Sequence, residues 1–389
     1  MHTALLCNQA FKMKIVIIGY YGQKNTGDDA LAATVVTGIS KRMPWAEFYI
    51  PSHRLVMPPG VKVRWRPKIA IRIRGMSRLL DQWHMVRCQR LILGGGSVIH
   101  DLLGPDYLKA RLKYFRFLKS LGKSLGAMGI ALGPLTTEEG RVAAREILRL
   151  FDFVAVRDRL SVTLAEEIGA PRPLLAFDLA VLLESSDLPE PGDDLYINDA
   201  GDRPILGVSV CNFHQYVGQG READERRFAK LVDGLRQVKW DGYRLWLFEF
   251  NGNRRVGDRP LAEKLASALE DKVSCKVIPY HPNPLVMLRR IKRCHGMLAM
   301  RLHAAIFAYI AQIPFLMLSY HPKCLGFAEM ARVPSTAVLD SETFTPSELA
   351  KRINQLIRNG NSFRPGLPIT EAQTLAERNF LWFEHELQG

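Results

Sequence analysis

Arg301 and His303 stand two residues apart where one compact apolar run, Gly296 to Met300, meets another, Ala304 to Ala311, that has the length and composition of a buried helix. A helix start presents free N–H groups and the positive end of its dipole. A guanidinium beside it adds a two-pronged donor, so Arg301, with Leu302 between it and His303, suits a phosphate or a carboxylate. His303 titrates near neutral pH and can give or take a proton. The structural alternative gives Arg301 a carboxylate partner and leaves His303 as a helix cap. The residues alone leave the two readings evenly matched.

Two glycine-bearing stretches add possible ligand contacts. The apolar run Lys14 to Ile18 enters Gly19, and Gly22, Asn25, Thr26, Gly27 and Asp28 follow before a helical pattern from Asp28 to Ser40. This is neither GxGxxG nor a P-loop, so nicotinamide and direct ATP binding are poorly supported. Glycines let backbone N–H groups approach a phosphate, while Asn25, Thr26 and Asp28 can bond sugar hydroxyls or cap the helix. Gly94, Gly95 and Gly96 follow the strand Arg90 to Leu93, at a carboxyl end of the sheet, where doubly wound folds bind ligands. Arg157 and Asp158 leave the strand Phe153 to Val156 in the same way. Lys323, in Tyr320-His321-Pro322-Lys323 after the last apolar strand, reads either as a neutraliser of an anion or as a solvated lysine.

These pieces occur in a definite order: Gly19-Tyr20-Tyr21-Gly22 with Asn25-Thr26-Gly27-Asp28-Asp29-Ala30-Leu31, then Gly94-Gly95-Gly96 with Asp101, then Val156-Arg157-Asp158, then Arg301-Leu302-His303 with Tyr320-His321-Pro322-Lys323. In that order, and over most of its length, the chain resembles the polysaccharide pyruvyl transferase family. The resemblance implies a GT-B-like fold and transfer of the enolpyruvyl part of phosphoenolpyruvate to a pair of sugar hydroxyls, as a ketal, in cell-surface or exopolysaccharide biosynthesis. It implies His303 as the proton-transfer group and Arg301, Arg157 and Lys323, with Leu302, as the donor-holding set. Asp158 is expected to orient Arg157 or to cap the next helix. The glycines, Asn25, Asp28 and Asp101 fall to the acceptor or phosphate loops. Phosphoenolpyruvate is then the donor substrate, with no redox or metal cofactor implied, and the acceptor is a glycan or a lipid-linked saccharide. Two departures from the family pattern are His100, where a glutamine is usual before the aspartate, and His321, where an acid is common.

Two other functions stay open. A GT-B glycosyltransferase using a nucleotide sugar would keep a carboxylate for the donor ribose late in its second half, and Glu329 is the nearest candidate. A non-catalytic glycan-binding or assembly protein would not need both Arg301 and His303.

Short apolar strands alternating with helical patterns, such as Tyr107 to Leu121, Glu138 to Leu150 and Ser161 to Ile168, predict an α/β protein of two doubly wound Rossmann-like domains facing a cleft. Residues 1–185 form the first, on the acceptor side; a polar, proline-bearing linker spans 186–204; residues 205–369 form the second, on the donor side. A C-terminal helix over 370–389 is expected to pack back on the first domain. The net charge of +14 is concentrated. From Arg54 to Arg90 ten Lys or Arg face the single acid Asp81, interleaved with Trp65, Ile69, Leu79 and Trp83, and basic and aromatic residues continue through Tyr107, Tyr114, Phe115 and Phe117 to Lys123. That mixture fits peripheral contact with anionic lipid, while an acidic glycan or lipid-linked pyrophosphate, or simply a solvated basic face, accounts for the charge as well. No nucleic-acid-binding motif accompanies it. The six cysteines are scattered without metal or disulfide spacing, and Met1 to Lys12 lacks the pattern of an export signal, so a cytoplasmic protein at the inner face of the membrane is expected.

Overall fold

The computed structural model describes residues 13–67, 75–190, 192–198, 202–213 and 220–384. Lys14–Ile18 (β1), Glu47–Ile50 (β2), Lys62–Trp65 (β3), Arg90–Ile99 (β4), Ser124–Leu132 (β5), Phe153–Val156 (β6) and Leu174–Leu175 (β7) pair in the order β3-β2-β1-β4-β5-β6-β7, all parallel. Ile205–Ser209 (β8), Arg244–Phe248 (β9), Cys275–Ile278 (β10), Gly296–Ala299 (β11), Phe315–Ser319 (β12) and Val338–Asp340 (β13) pair as β10-β9-β8-β11-β12-β13, again all parallel. The middle of β1, the first six residues of β4, and β8 and β11 throughout are buried, as strands covered by helices on both faces must be. Each sheet reverses its winding once, between β1 and β4 and between β8 and β11. Ligands of doubly wound sheets bind outside the carboxyl ends at such reversals.

The two carboxyl edges meet. Asn25 and Asn251 form an antiparallel bridge, Thr26 donates its N–H to the Phe250 carbonyl at 2.9 Å, and Gly252 donates to the Lys24 carbonyl at 2.8 Å. Tyr280 donates its hydroxyl to Asp29 Oδ2 at 2.7 Å across the same seam. Beneath it lies one apolar core shared by both halves, including Ile17, Leu31 and Val35 from the first and Phe250, Leu302 and Phe307 from the second. The 3-10 segment Leu179–Ser185 is wedged between the helices Thr26–Arg42 and Leu302–Ile310. Each domain keeps a separate core on its far face.

The segment after Ser186 hugs the second domain: Asp194 pairs with the buried Arg290, Nε to Oδ2 at 2.6 Å, and Asn283 donates to the Pro189 carbonyl at 2.9 Å. The tail is not one helix. Ile369–Glu377 and Leu381–Glu384 are separated by a 3-10 turn at Arg378–Phe380, where buried Asn379 donates to the carbonyls of Phe177 and Ala376. Trp382 then stacks on Phe153, and Arg42 pairs with Glu377 and Glu384. The tail therefore fastens to the first domain by aromatic and ionic contacts. Among the described residues no helix is long and apolar enough to cross a membrane.

Candidate active site

A polar cavity of about 240 Å³ opens between the domains, lined by Asp28, Gly96 and Arg157 from the first and by Arg301, His303 and Lys323 from the second. Arg301 is the last residue before Leu302–Ile310, and Leu302 and His303 begin that helix. Arg301 also has a partner: its Nε donates to Asp258 Oδ2 at 2.7 Å and its terminal nitrogen to Oδ1. Arg301 thus has the carboxylate partner of the structural reading, and it also lines the cavity.

His303 packs against Gly27 of the first domain. A Cβ added at Gly27 would sit 2.1 Å from its ring, so only glycine leaves room for the imidazole there. His303 Nε2 is buried without a hydrogen-bond partner and stands 4.0 Å from Asp178 Oδ2. Burial pushes its pKa down to about 4, with Arg157, Lys323 and Arg301 adding to the shift and Asp178 opposing it. The imidazole is therefore neutral at pH 7.

Arg157 leaves β6 and donates to the same Asp178 oxygen at 2.9 Å, both side chains being buried. Asp178 therefore orients Arg157. The two roles considered for Asp158 are decided by its bond from Ser161 N–H at 2.8 Å, which caps the helix Arg159–Glu167. Lys323 sits in the first turn of Pro322–Met330, capped by His321, whose Nδ1 accepts the Lys323 N–H at 3.2 Å. Among the described residues no acid lies within ion-pair distance of Lys323, and burial lowers its pKa.

Asp28 shares the cavity, and its carboxyl is pushed up to about 7 by burial and by Asp29, against the pull of Lys323, Arg157 and Arg301. Between its ordinary value and 7 the folded state holds the extra proton, so folding stability falls as pH rises through that window. Asp28→Asn removes this pH dependence. It is expected to gain about 2–3 kcal/mol more stability at pH 8 than at pH 5, read from urea melts at the two pH values; an equal gain at both would rule out titration of Asp28 as the cause.

Several glycines and one acid have duties other than those expected. Gly19 and Gly94 make room for Tyr21, since a Cβ at either would fall 2.3 or 2.4 Å from its ring or hydroxyl, and Tyr21 bonds the Gly94 carbonyl. Gly22 approaches Ser52 and His53, and Gly95 approaches Leu31, so neither lines the cavity. Only Gly96 of the triplet does, beside Asp28. The triplet lies within β4, which runs on to Ile99 through positive φ at Gly95 and Gly96. Asn25 caps the helix Thr26–Arg42 by accepting the Gly27 N–H while still lining the cavity. Asp101 does not reach the cavity: both carboxylate oxygens accept from the N–H and hydroxyl groups of Thr136 and Thr137, fixing the start of Glu138–Leu150. Asp178 and Asp258 went unread in the sequence. Glu329 turns away to Arg159, 3.6 Å off, and faces a different groove.

Residues 25–322 match the family model described as polysaccharide pyruvyl transferase. The chain belongs to the polysaccharide pyruvyl transferase family. Membership carries a coarse activity: a transferase of polysaccharide biosynthesis. The Amylovoran biosynthesis protein AmsJ of Erwinia amylovora is 22% identical, over 89% of this chain and 92% of its own. Among solved structures, a putative UDP-N-acetylglucosamine 2-epimerase from Listeria monocytogenes superposes with a TM-score of 0.64 at 12% identity, covering 97% of each chain. Anabaena HepE in complex with UDP-glucose gives a TM-score of 0.56 at 12% identity, over 97% of this chain and 99% of its own. These likenesses establish a GT-B-like fold for this family member.

Proposed function

We propose that the protein transfers the enolpyruvyl group of phosphoenolpyruvate to two hydroxyls of one sugar, forming a pyruvate ketal on an exopolysaccharide or cell-surface glycan intermediate. The observation that carries this reading is the convergence of Arg157, Arg301 and Lys323 on one cavity holding a buried, unpartnered histidine nitrogen. A small donor with a carboxylate and a phosphate answers three cations, of which Lys323 alone lacks an acidic partner among the described residues.

The chemistry follows from those groups. The donor's negative charge beside His303 raises the imidazole's proton affinity against the effect of burial, so His303 is charged as the donor seats. It gives that proton to the methylene carbon, and the central carbon becomes electrophilic. A sugar hydroxyl adds there and returns its proton to the neutral imidazole; phosphate leaves, and the second hydroxyl closes the ketal. The balance is phosphoenolpyruvate plus a diol to a ketal plus phosphate. We assign the acceptor to the adjoining cavity of about 250 Å³, which shares Ser97 and Lys323 with the first and adds Pro134, Thr163 and His321. His321, one of the two departures from the family pattern, accepts at Nδ1, which leaves its proton on Nε2 as a donor for a sugar oxygen.

Glu329, the nearest candidate for the ribose carboxylate of the nucleotide-sugar alternative, lies in another groove. Calorimetry of the whole chain separates the two. Phosphoenolpyruvate is expected to bind with uptake of a proton near neutral pH, and uridine or guanosine diphosphate not to compete. Tight diphosphate binding with no phosphoenolpyruvate heat would overturn the proposal.

A further inference from the structure

The helix Met76–Arg87 crosses from β3 to β4, and none of its residues is buried. Met76, Leu79, Trp83 and Val86 recur at i, i+3, i+7 and i+10, which puts them on one stripe of a helix. That stripe faces solvent, with Leu79 63% and Trp83 50% exposed. The neighbouring helix Pro105–Ser120 shows the ordinary arrangement, its Leu108, Leu112, Phe115 and Leu118 all turned to the core. Tyr114 bonds Met85 Sδ at 3.0 Å, so the two helices lie side by side, and the exposed Phe117 of the second and Leu121 just past its end add further apolar surface.

Charge accompanies the stripe. Residues 54–90 hold ten Lys or Arg against Asp81 alone, and Asp81 is turned to Arg66 and to the Tyr49 hydroxyl. Arg78 and Lys113 are exposed with no acid in ion-pair range among the described residues. Arg87 lies over the Trp83 ring, 4.9 Å from its centroid. Ile69, Ile71, Ile73, Arg72 and Arg74 of the same basic region lie outside the described residues. A helix feeding β4 runs against the strand direction, so its Met76 end lies toward the carboxyl edge and the cleft. An apolar stripe flanked by unpaired cations is the arrangement of a helix lying in a bilayer interface, where tryptophan and arginine straddle the headgroup level.

We propose that the Met76–Val86 stripe is a docking surface for an anionic lipid bilayer, with Leu79 and Trp83 inserted at the acyl boundary and Arg78, Arg87 and Lys113 on headgroup phosphates. The inference is independent of the donor, and its test needs no substrate. The full chain is expected to float with vesicles of mixed phosphatidylglycerol and phosphatidylcholine and to stay behind with phosphatidylcholine alone. Leu79→Glu combined with Trp83→Glu should abolish flotation, and Arg78→Glu should weaken partitioning by about fivefold or more. All three positions are exposed, so unchanged thermal melts confirm that the variants are folded. Equal flotation with neutral vesicles, or undiminished flotation of the Leu79→Glu, Trp83→Glu chain, overturns the proposal. So does a dimer in sedimentation velocity that this variant dissolves while the parent ignores vesicles, which would assign the stripe to a second copy of the chain.

Discussion

His303→Ala is expected to bind phosphoenolpyruvate nearly as tightly as the parent chain and to release phosphate ~10²–10⁴-fold more slowly with acceptor present. The affinity is conserved because Arg157 and Lys323 keep their places: Asp178 holds the one, and the capped helix start holds the other. Turnover falls because, in the proposed mechanism, the nitrogen that moves the proton is gone. His303→Gln, which restores bulk against Gly27 without a titrating group, should be as slow as the alanine variant. Near-parental turnover by the glutamine variant would remove His303 from proton transfer, and a collapse of donor affinity in both variants would make it a donor ligand instead.

Arg301→Ala should lose stability before it loses anything else. Asp258 is 1% exposed on its side chain, and the guanidinium is its charge partner. Removing one member of such a pair leaves a buried, uncompensated carboxylate, at about 3–5 kcal/mol. Adding Asp258→Asn to Arg301→Ala removes that charge and should recover most of the loss, measured by urea melts. In the folded double variant, donor affinity should be down by roughly 100-fold, as for a truncated charged contact. If Arg301→Ala alone melts like the parent, the pair carries no stability. If the double variant binds phosphoenolpyruvate like the parent, Arg301 is structural only.

The strands that build the cleft were legible because β1, β5, β6, β8, β9, β11 and β12 are apolar runs closed by glycine, arginine or polar residues, and the switch-point loops follow from them. β2 and β3 were not, since Glu47–Ile50 and Lys62–Trp65 are short, mixed strands toward one edge of the sheet with no strong alternation. In the site, Arg157, Arg301, His303 and Lys323 announced themselves as charged or titrating groups at strand ends. The carboxylates that hold two of them did not. Asp258 is 43 residues from Arg301 and Asp178 is 21 from Arg157, and in sequence each looks like an ordinary helix cap. The glycines misled for a related reason. A glycine marks close approach without saying by what, and at Gly19 and Gly94 the approaching group is the chain's own Tyr21 ring.

Gly27 gives the pair of domains a lock-and-key relation that bears on recombination between homologues. The imidazole from the second half occupies the volume that any side chain at this position of the first half would need, at 2.1 Å. A chimera joining this second half to a first half that carries alanine there must push His303 out of register with Asp178, even if both parts fold and their interface is otherwise conserved. Exchange of halves is therefore gated by a single hydrogen-sized space, and the compatible first halves are those with glycine at this position.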